Sequence, residues 1–262
     1  MRLFITSLFL SSTLAFQPSS FVGQRTSLAT SNDQNRQCSQ RSFTSPSSLS
    51  MVTTGPLNCR ITGIGSAAPK TVITNVDLES VVETSDEWIS TRTGISERKV
   101  LLHPIEGEST SGESIKTLAA DAASQALEMS TLAPEDIDLV IVATSTPDDM
   151  FGDATSVAAS LGCSNAVAFD LTAACSGFLF GSVTAGQFLN NDGNSYKNAI
   201  VVGADALSRW IDWDDRNSCI LFGDGAGAAV FTATDGQGED AVGILGSSAH
   251  SNGLGYDKLK CG

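Results

Sequence analysis

The chain has 262 residues, of which 41% are hydrophobic, so it can bury a substantial core and wholesale disorder is excluded. Its 29 acidic and 15 basic residues give a formal net charge of -14, which argues against a nucleic-acid-binding protein because such proteins present a basic face. The 24 glycines and the low aromatic content of 6% favour closely packed α/β layers over a coiled coil or a collagen.

Residues 1–50 predict a disordered targeting segment. They hold four basic residues, one acidic residue and 18 Ser or Thr. Arg2 and a short apolar stretch ending at Leu10 are typical of a signal peptide, and the arginine-containing segment 17–50 is typical of a transit peptide. The pair Ala15-Phe16 at their junction resembles the bipartite plastid signals of algae. We therefore expect the chloroplast stroma as the location; the alternative is a plain signal peptide followed by a disordered linker.

Hydrophobic periodicity predicts the elements of residues 51–262. In chain order these are a strand at 59–65, helices at 76–83, 85–92 and 114–129, a strand at 139–143, a helix at 154–161, a strand at 166–171, a helix at 176–189, a strand at 199–203, and paired strands at 219–222 and 228–231. The run Leu139–Ala143 is apolar at consecutive positions, which is typical of a central parallel strand. Strands that alternate with helices predict an α/β sheet covered on both faces.

The sequence indicates no metal site, no internal repeat and no transmembrane run. Its six cysteines form no CxxC pair and no regular spacing, so neither a zinc site nor a disulfide framework is predicted. His103 and His250 lie in polar sequence far from such a motif, and we interpret both as surface or turn histidines.

Cys175 is the sharpest candidate for chemistry. The segment Thr172-Ala-Ala-Cys-Ser-Gly-Phe178 joins a predicted buried strand to a predicted apolar helix. Cys175 should therefore lie near the helix N-terminus, where the helix dipole and free N–H groups stabilise an anionic sulfur. Taken by itself, a cysteine between small residues is more often an inert core residue.

Four segments make the chain resemble the β-ketoacyl-acyl-carrier-protein synthases of type III, the initiating condensing enzymes of dissociated fatty-acid synthesis. They are Thr84–Ile95, Thr172–Phe178, Asp212–Arg216 and Phe222–Val230, and they occur in the family's order. The resemblance implies a thiolase-like fold, in which two similar α/β halves form five layers, αβαβα. It also implies an acyltransferase that forms a homodimer when full length, needs no cofactor, and neither binds nucleic acid nor inserts stably into a membrane.

The resemblance implies a mechanism that begins at Cys175. Its sulfur takes an acetyl group from acetyl-CoA as a thioester, and malonyl-acyl carrier protein then loses CO2 and attacks it. The products are acetoacetyl-acyl carrier protein, CoA and CO2. In the family a His and an Asn promote the decarboxylation and stabilise the developing enolate.

The resemblance also implies the sites that bind the substrate. Trp88 and Arg92 are four residues apart on one predicted helix and therefore share a face, where an indole and a guanidinium suit an adenine ring. Without the resemblance, a half-buried Trp beside a surface Arg would be the simpler interpretation. The matching family positions bind coenzyme A, with Thr84 and Arg216 nearby.

Three apolar residues match positions that line the acyl pocket in the family: Phe151, Leu207 and Phe222. The loop that corresponds to Phe151 reaches across the dimer interface in relatives. The glycines after Phe222 precede strand-like residues rather than a helix, so we predict close packing there and not a phosphate-binding loop.

The chain departs from the family at its end. It stops at Gly262, and no His or Asn in it stands at a matching catalytic position. We therefore expect residues 51–262 to be essentially the first α/β half, from a truncated sequence or partial gene model, with full activity dependent on the missing half. One alternative is an inactive truncated protein that binds CoA or a partner. Another is a different thiolase-like CoA enzyme, such as a hydroxymethylglutaryl-CoA or polyketide synthase, although segment Thr84–Ile95 argues against both.

Overall fold

The computed structural model describes residues 52–108, 112–190, 193, 195–235, 243–253 and 255. All of them lie in the second of the two units into which the chain divides, Leu49–Gly262. The predicted targeting segment 1–50 lies outside the described residues.

The described residues form short strands and helices that alternate along the chain. The strands are β1 (Val52–Thr54), β2 (Cys59–Ala67), β3 (Val72–Thr74), β4 (Glu97–Lys99), β5 (Leu102–His103), β6 (Gly107–Glu108), β7 (Leu139–Ala143), β8 (Val167–Leu171), β9 (Asn198–Asp205), β10 (Gly225–Ala233) and β11 (Ser247–Ala249). The helices are α1 (Asn75–Leu78), α2 (Asp86–Thr93), α3 (Ile115–Ser130), α4 (Ala154–Leu161), α5 (Gly177–Leu189) and α6 (Arg216–Cys219). Within the described part, no helix is long and apolar enough to cross a membrane.

A mixed five-stranded sheet in the order β2-β10-β9-β7-β8 is the centre of the fold. Strand β7 pairs in parallel with β8 and β9, whereas β10 is antiparallel to β9 and β2. All five residues of β7 are buried, which confirms the prediction of a central strand with both faces covered. The predicted α/β class is therefore confirmed.

Helix α3 covers one face of the sheet. Its buried residues are the ones that the periodicity predicts: Ile115, Leu118, Ala119, Ala122, Ala123, Ala126 and Leu127. The helix begins after Ser114, whose side chain accepts a hydrogen bond from the Thr117 N–H. It approaches β2 so closely that a Cβ on Gly65 would lie 2.1 Å from the Ala122 carbonyl oxygen. Alanine on the helix and glycine on the strand are what permit this distance.

Helix α5 packs on the opposite face through its own glycines. A Cβ on Gly177 would lie 3.1 Å from the Ala143 Cβ, and one on Gly181 would lie 2.9 Å from the Val201 Cγ1. Alternate residues of β7 support the two faces, because Val140 belongs to the cluster under α3 and Ile141 to the cluster under α5. The result is a helix–sheet–helix arrangement of three layers.

The structure corrects two predicted elements. The helix predicted at 76–83 is only the one-turn helix α1, and the strand predicted at 219–222 is wrong. Cys219 is instead the last residue of α6, whose N-cap Asp215 accepts a hydrogen bond from the Asn217 N–H. A short apolar run fits a buried strand and a buried helical turn equally well, so periodicity alone could not separate them.

We predict that Gly65→Ala destabilises the protein, whereas Gly227→Ala on the same sheet does not. The new methyl group at position 65 meets backbone that cannot move away, and such overpacking costs about 1–3 kcal/mol. A Cβ on Gly227 has no atom within 4 Å, so that variant is the matched control. Urea unfolding followed by circular dichroism measures both, and equal unfolding free energies for the two variants would contradict the packing described.

Candidate active site

Four of the eight candidate residues lie at one edge of the sheet. Strands β2, β7, β8 and β9 run in the same direction, so their carboxyl ends meet at this edge, where β10 begins. The loop after β7 carries Phe151, the turn after β8 carries Cys175, the turn after β9 carries Leu207, and Phe222 precedes β10. In α/β sheets the carboxyl edge is the usual place for a ligand.

Cys175 lies in a tight turn between β8 and α5. Residues Ala174–Ser176 form one turn of 3-10 helix, in which the Ser176 N–H donates to the Ala173 carbonyl at 3.1 Å. Ala174 has a φ of +46°, which is uncommon for a residue with a Cβ and costs conformational energy. The N-cap Ser176 makes no side-chain capping bond, so α5 begins without that cap immediately after the thiol.

Exposure separates Cys175 from the other described cysteines. Cys175 is exposed, whereas Cys59, Cys163 and Cys219 are buried. Burial raises the pKa of Cys59 and of Cys163 to about 11, and burial together with the nearby Asp215 carboxylate raises the pKa of Cys219. These three thiols remain protonated near neutral pH. Cys38 and Cys261 lie outside the described residues.

Two open clefts are lined by residues next to the turn, and both include Leu171 and Thr172. One, of about 430 Å³, is lined by Leu171, Thr172, Ala173, Ser176, Phe180, His250 and Ser251. The other, of about 380 Å³, is lined by residues of the loop after β7, including Met150 and Phe151, and again by Thr172. His250 is exposed, as predicted for a surface histidine, and the structure adds that it faces the cleft beside the turn.

The three predicted acyl-pocket residues are at the same edge but do not line one pocket. Phe151 is 92% exposed and lines the 380 Å³ cleft, which Leu207 and Phe222 do not line. Phe222 is 38% exposed and Leu207 is half-buried. The three residues therefore share this edge of the sheet but do not form one pocket.

Two aspartate carboxylates, of which Asp153 is buried, hold the loop that carries Phe151, a feature that the sequence analysis missed. Asp170 at the end of β8 accepts bonds from the Asp153 and Ala154 N–H groups, at 2.9 and 2.7 Å. Asp153 is fully buried and accepts from the Asp148 N–H at 2.7 Å. Burial, with Asp148 and Asp170 nearby, raises the pKa of Asp153. The sequence did offer one signal for this arrangement, because Asp170 is a carboxylate within the otherwise apolar strand β8.

Asp224 fixes the glycine-rich motif after Phe222 to two neighbouring segments. Its buried carboxylate accepts hydrogen bonds from the Leu101 N–H at 2.6 Å and from the Ser208 N–H at 2.9 Å. A Cβ on Gly223 would lie 3.0 Å from the Lys99 carbonyl oxygen, so close packing is confirmed there. The motif therefore joins the strand end near Lys99 and the turn after β9 to the start of β10.

The Trp88 indole carries a guanidinium contact from each of two arginines. The carbon Cζ of Arg92 and that of Arg216 each lie 4.4 Å from the indole centroid. Arg92 also donates to the Trp88 carbonyl at 3.2 Å, and Arg216 donates to the Glu83 carbonyl at 3.1 Å. The structure thus brings together residues of two helices that are far apart in sequence. We call Trp88, Arg92 and Arg216 the tryptophan stack.

The tryptophan stack differs from the predicted arrangement in one respect. At 4.4 Å a guanidinium is in direct contact with the ring, so no base fits between them unless that arginine moves away. Thr84 precedes the N-cap of α2, and its buried hydroxyl oxygen has no hydrogen-bond partner among the described residues. Such a group is available to a ligand.

The described residues contain no group of three or more His, Cys, Asp or Glu side chains that could hold a metal ion.

Comparison with known proteins identifies the family. Residues 169–253, which include Cys175, match the family model of 3-oxoacyl-[acyl-carrier-protein] synthase III. The chain is 52% identical over 193 residues to the β-ketoacyl-[acyl-carrier-protein] synthase III of Microcystis aeruginosa, covering 74% of this chain and 54% of the relative. It is 47% identical over 216 residues to the chloroplastic enzyme of that name from Arabidopsis thaliana, covering 82% of this chain and 50% of the relative.

A solved structure is similar in the same way. The 3-oxoacyl-[acyl-carrier-protein] synthase III of Aquifex aeolicus superimposes with a TM-score of 0.60 at 45% identity, over 68% of this chain and 54% of that one. The predicted thiolase-like fold is thereby confirmed over the part of the chain that superimposes. The chain spans about half the length of the relatives that it matches, and it belongs to the β-ketoacyl-[acyl-carrier-protein] synthase III family.

Proposed function

We propose that this chain carries the nucleophile and the coenzyme A site of an initiating condensing enzyme of fatty-acid synthesis. The observation that carries the proposal is the exposed Cys175 thiol in a strained turn at the start of α5, while the other described thiols are buried. The Cys175 sulfur attacks the carbonyl carbon of acetyl-CoA, the carbon–sulfur bond to CoA breaks, and the acetyl group stays on Cys175 as a thioester.

We propose that the tryptophan stack, with Thr84, holds the adenine end of coenzyme A. Adenine stacks on the indole after one guanidinium moves aside, and the released arginine pairs with a phosphate. Because the chain has a net charge of -14, attraction of an anionic substrate depends on local cations such as Arg92 and Arg216.

The condensation step requires more than these residues. Malonyl-acyl carrier protein loses CO2, the resulting carbanion attacks the acetyl thioester, and the Cys175 sulfur leaves as acetoacetyl-acyl carrier protein forms. We propose that a His and an Asn assist this step as in the family, and no His or Asn among the 262 residues stands at a matching position. Met150 and Phe151, 87% and 92% exposed, are the proposed contact of a homodimer.

We further propose that residues 1–50 direct the protein to the plastid stroma, which agrees with the chloroplastic Arabidopsis relative. A fluorescent protein fused after residue 50 should accumulate in the plastid of an alga with complex plastids. Secretion of the fusion would contradict the proposed location and favour a plain signal peptide.

The central step is tested by incubating the 262-residue chain with acetyl-CoA and mapping the product by mass spectrometry. We expect one acetyl group on the peptide that contains Cys175, and none in Cys175→Ser. Trp88→Ala should raise the acetyl-CoA concentration for half-maximal acetylation by about fivefold or more, because a base–aromatic stack is worth about 1–3 kcal/mol.

Trp210→Ala is the matched control for that measurement, since Trp210 is 60% exposed and lies outside the tryptophan stack. Binding of CoA without acetyl transfer would reject the enzyme and favour the alternative of a CoA-binding protein. Equal half-maximal concentrations for the two tryptophan variants would remove Trp88 from the site.

A further inference from the structure

Arg98 is a buried cation that the proposed chemistry does not use. It is the central residue of β4 and only 6% exposed, whereas its neighbours Glu97 and Lys99 are exposed. Burying a guanidinium is costly unless its donors are satisfied. What Arg98 contacts therefore indicates why it is there.

The Arg98 guanidinium donates to oxygen atoms from separate segments. Its Nη2 donates to the Asn75 Oδ1 at 2.9 Å and to the Ile220 carbonyl at 3.0 Å. Its Nη1 lies 3.5 Å from the Ile73 carbonyl oxygen. These acceptors are an amide oxygen and two backbone carbonyls rather than carboxylates, so the contacts fix geometry without neutralising the charge.

The hydrogen bond to Ile220 connects Arg98 to α6, the helix that carries Arg216. Ile220 is the C-cap residue of α6, the four-residue helix that begins with Arg216. A helix of one turn has no stability of its own, so its position depends on tertiary contacts. The bond from Arg98 to the Ile220 carbonyl is such a contact at one end, and the Asp215 cap acts at the other.

The hydrogen bond to Asn75 connects Arg98 to α2, the helix that carries Trp88. Asn75, which is 1% exposed, donates through its amide nitrogen to the Asp86 carboxylate at 2.7 Å and to the Ile95 carbonyl at 2.7 Å. Asp86 is the first residue of α2, and Ile95 follows the Gly94 cap that ends it. Asn75 therefore holds the chain at both ends of the helix that carries Trp88 and Arg92.

We propose that Arg98, acting through Asn75 and Ile220, is the positioning residue that sets the spacing of the tryptophan stack. The proposal rests on the proposed function in so far as the tryptophan stack binds coenzyme A. Arg98 touches no substrate. It keeps α2 and α6 in register, so that Arg216 lies over the indole and a nucleotide base can replace it without rebuilding either helix.

The proposal is tested with Arg98→Met and Arg98→Lys, and Lys99→Met on the exposed side of the same strand is the control. A lysine keeps the charge but cannot reproduce the fork that reaches Asn75 and Ile220 together. We expect Arg98→Met to weaken CoA binding by about tenfold or more, because losing hydrogen bonds from a charged group changes an affinity by about that factor. Calorimetry well below the melting temperature measures the affinity. The CoA affinity of Arg98→Lys should lie between those of Arg98→Met and the wild type, and the CoA affinity of Lys99→Met should equal that of the wild type.

Two further readouts separate positioning from general loss of structure. The rate at which iodoacetamide alkylates Cys175 should be unchanged in both Arg98 variants, because Cys175 lies outside this network. The indole N–H signal of Trp88 in a ¹H–¹⁵N spectrum, assigned with Trp88→Phe, should shift in both variants while that of Trp210 does not.

The outcomes also distinguish this proposal from the proposed function. Wild-type protein that fails to bind CoA would overturn the function, and the Trp88 signal would then decide the positioning role by itself. An unshifted Trp88 signal, or CoA affinity equal to the wild type in Arg98→Lys and Arg98→Met, would overturn the role of Arg98. If Arg98→Met does not fold, Arg98→Lys supplies the same comparison.

Discussion

The close approach of helices to the central sheet is the constraint on which the rest of the structure depends. Helix α5 lies against β7 and β9 through Gly177 and Gly181, and α3 meets β2 at Gly65. Because Gly177 must lie against Ala143, the chain has little room to turn between β8 and α5, and the turn adopts a positive φ at Ala174. The strained residue Ala174 and the exposed thiol of Cys175 therefore directly precede the helix start that packs against the sheet.

The same sheet explains why Cys175 and the predicted acyl-pocket residues lie at one edge and why polar groups are buried there. Loops that leave parallel strands in one direction must be fixed by something other than the sheet, and here carboxylates do so. Asp170 and Asp153 bind the loop after β7, and Asp224 binds the turn after β9. Arg98 has the corresponding role beside the tryptophan stack, where one guanidinium joins Asn75, which follows β3, to Ile220 at the end of α6.

Much of the fold could be predicted from sequence, since local pattern and burial agree in it. The apolar face of α3 and the fully buried β7 follow directly from periodicity. The segment 219–222 could not, because its position depends on the Asp215 cap and on a distant arginine. Trp88 and Arg92 were predictable as neighbours on one helix, but the contact with Arg216 depends on tertiary structure, and only the resemblance placed that residue nearby.

The structure exposes the Cys175 thiol and buries the other three cysteines that it describes, Cys59, Cys163 and Cys219. Alkylation by iodoacetamide of the native chain near pH 8, mapped by mass spectrometry, tests this most directly. The account predicts fast modification of Cys175, with Cys59, Cys163 and Cys219 protected until denaturant is added, because burial keeps them protonated and inaccessible. Comparable native rates at Cys175 and at these three residues would contradict it.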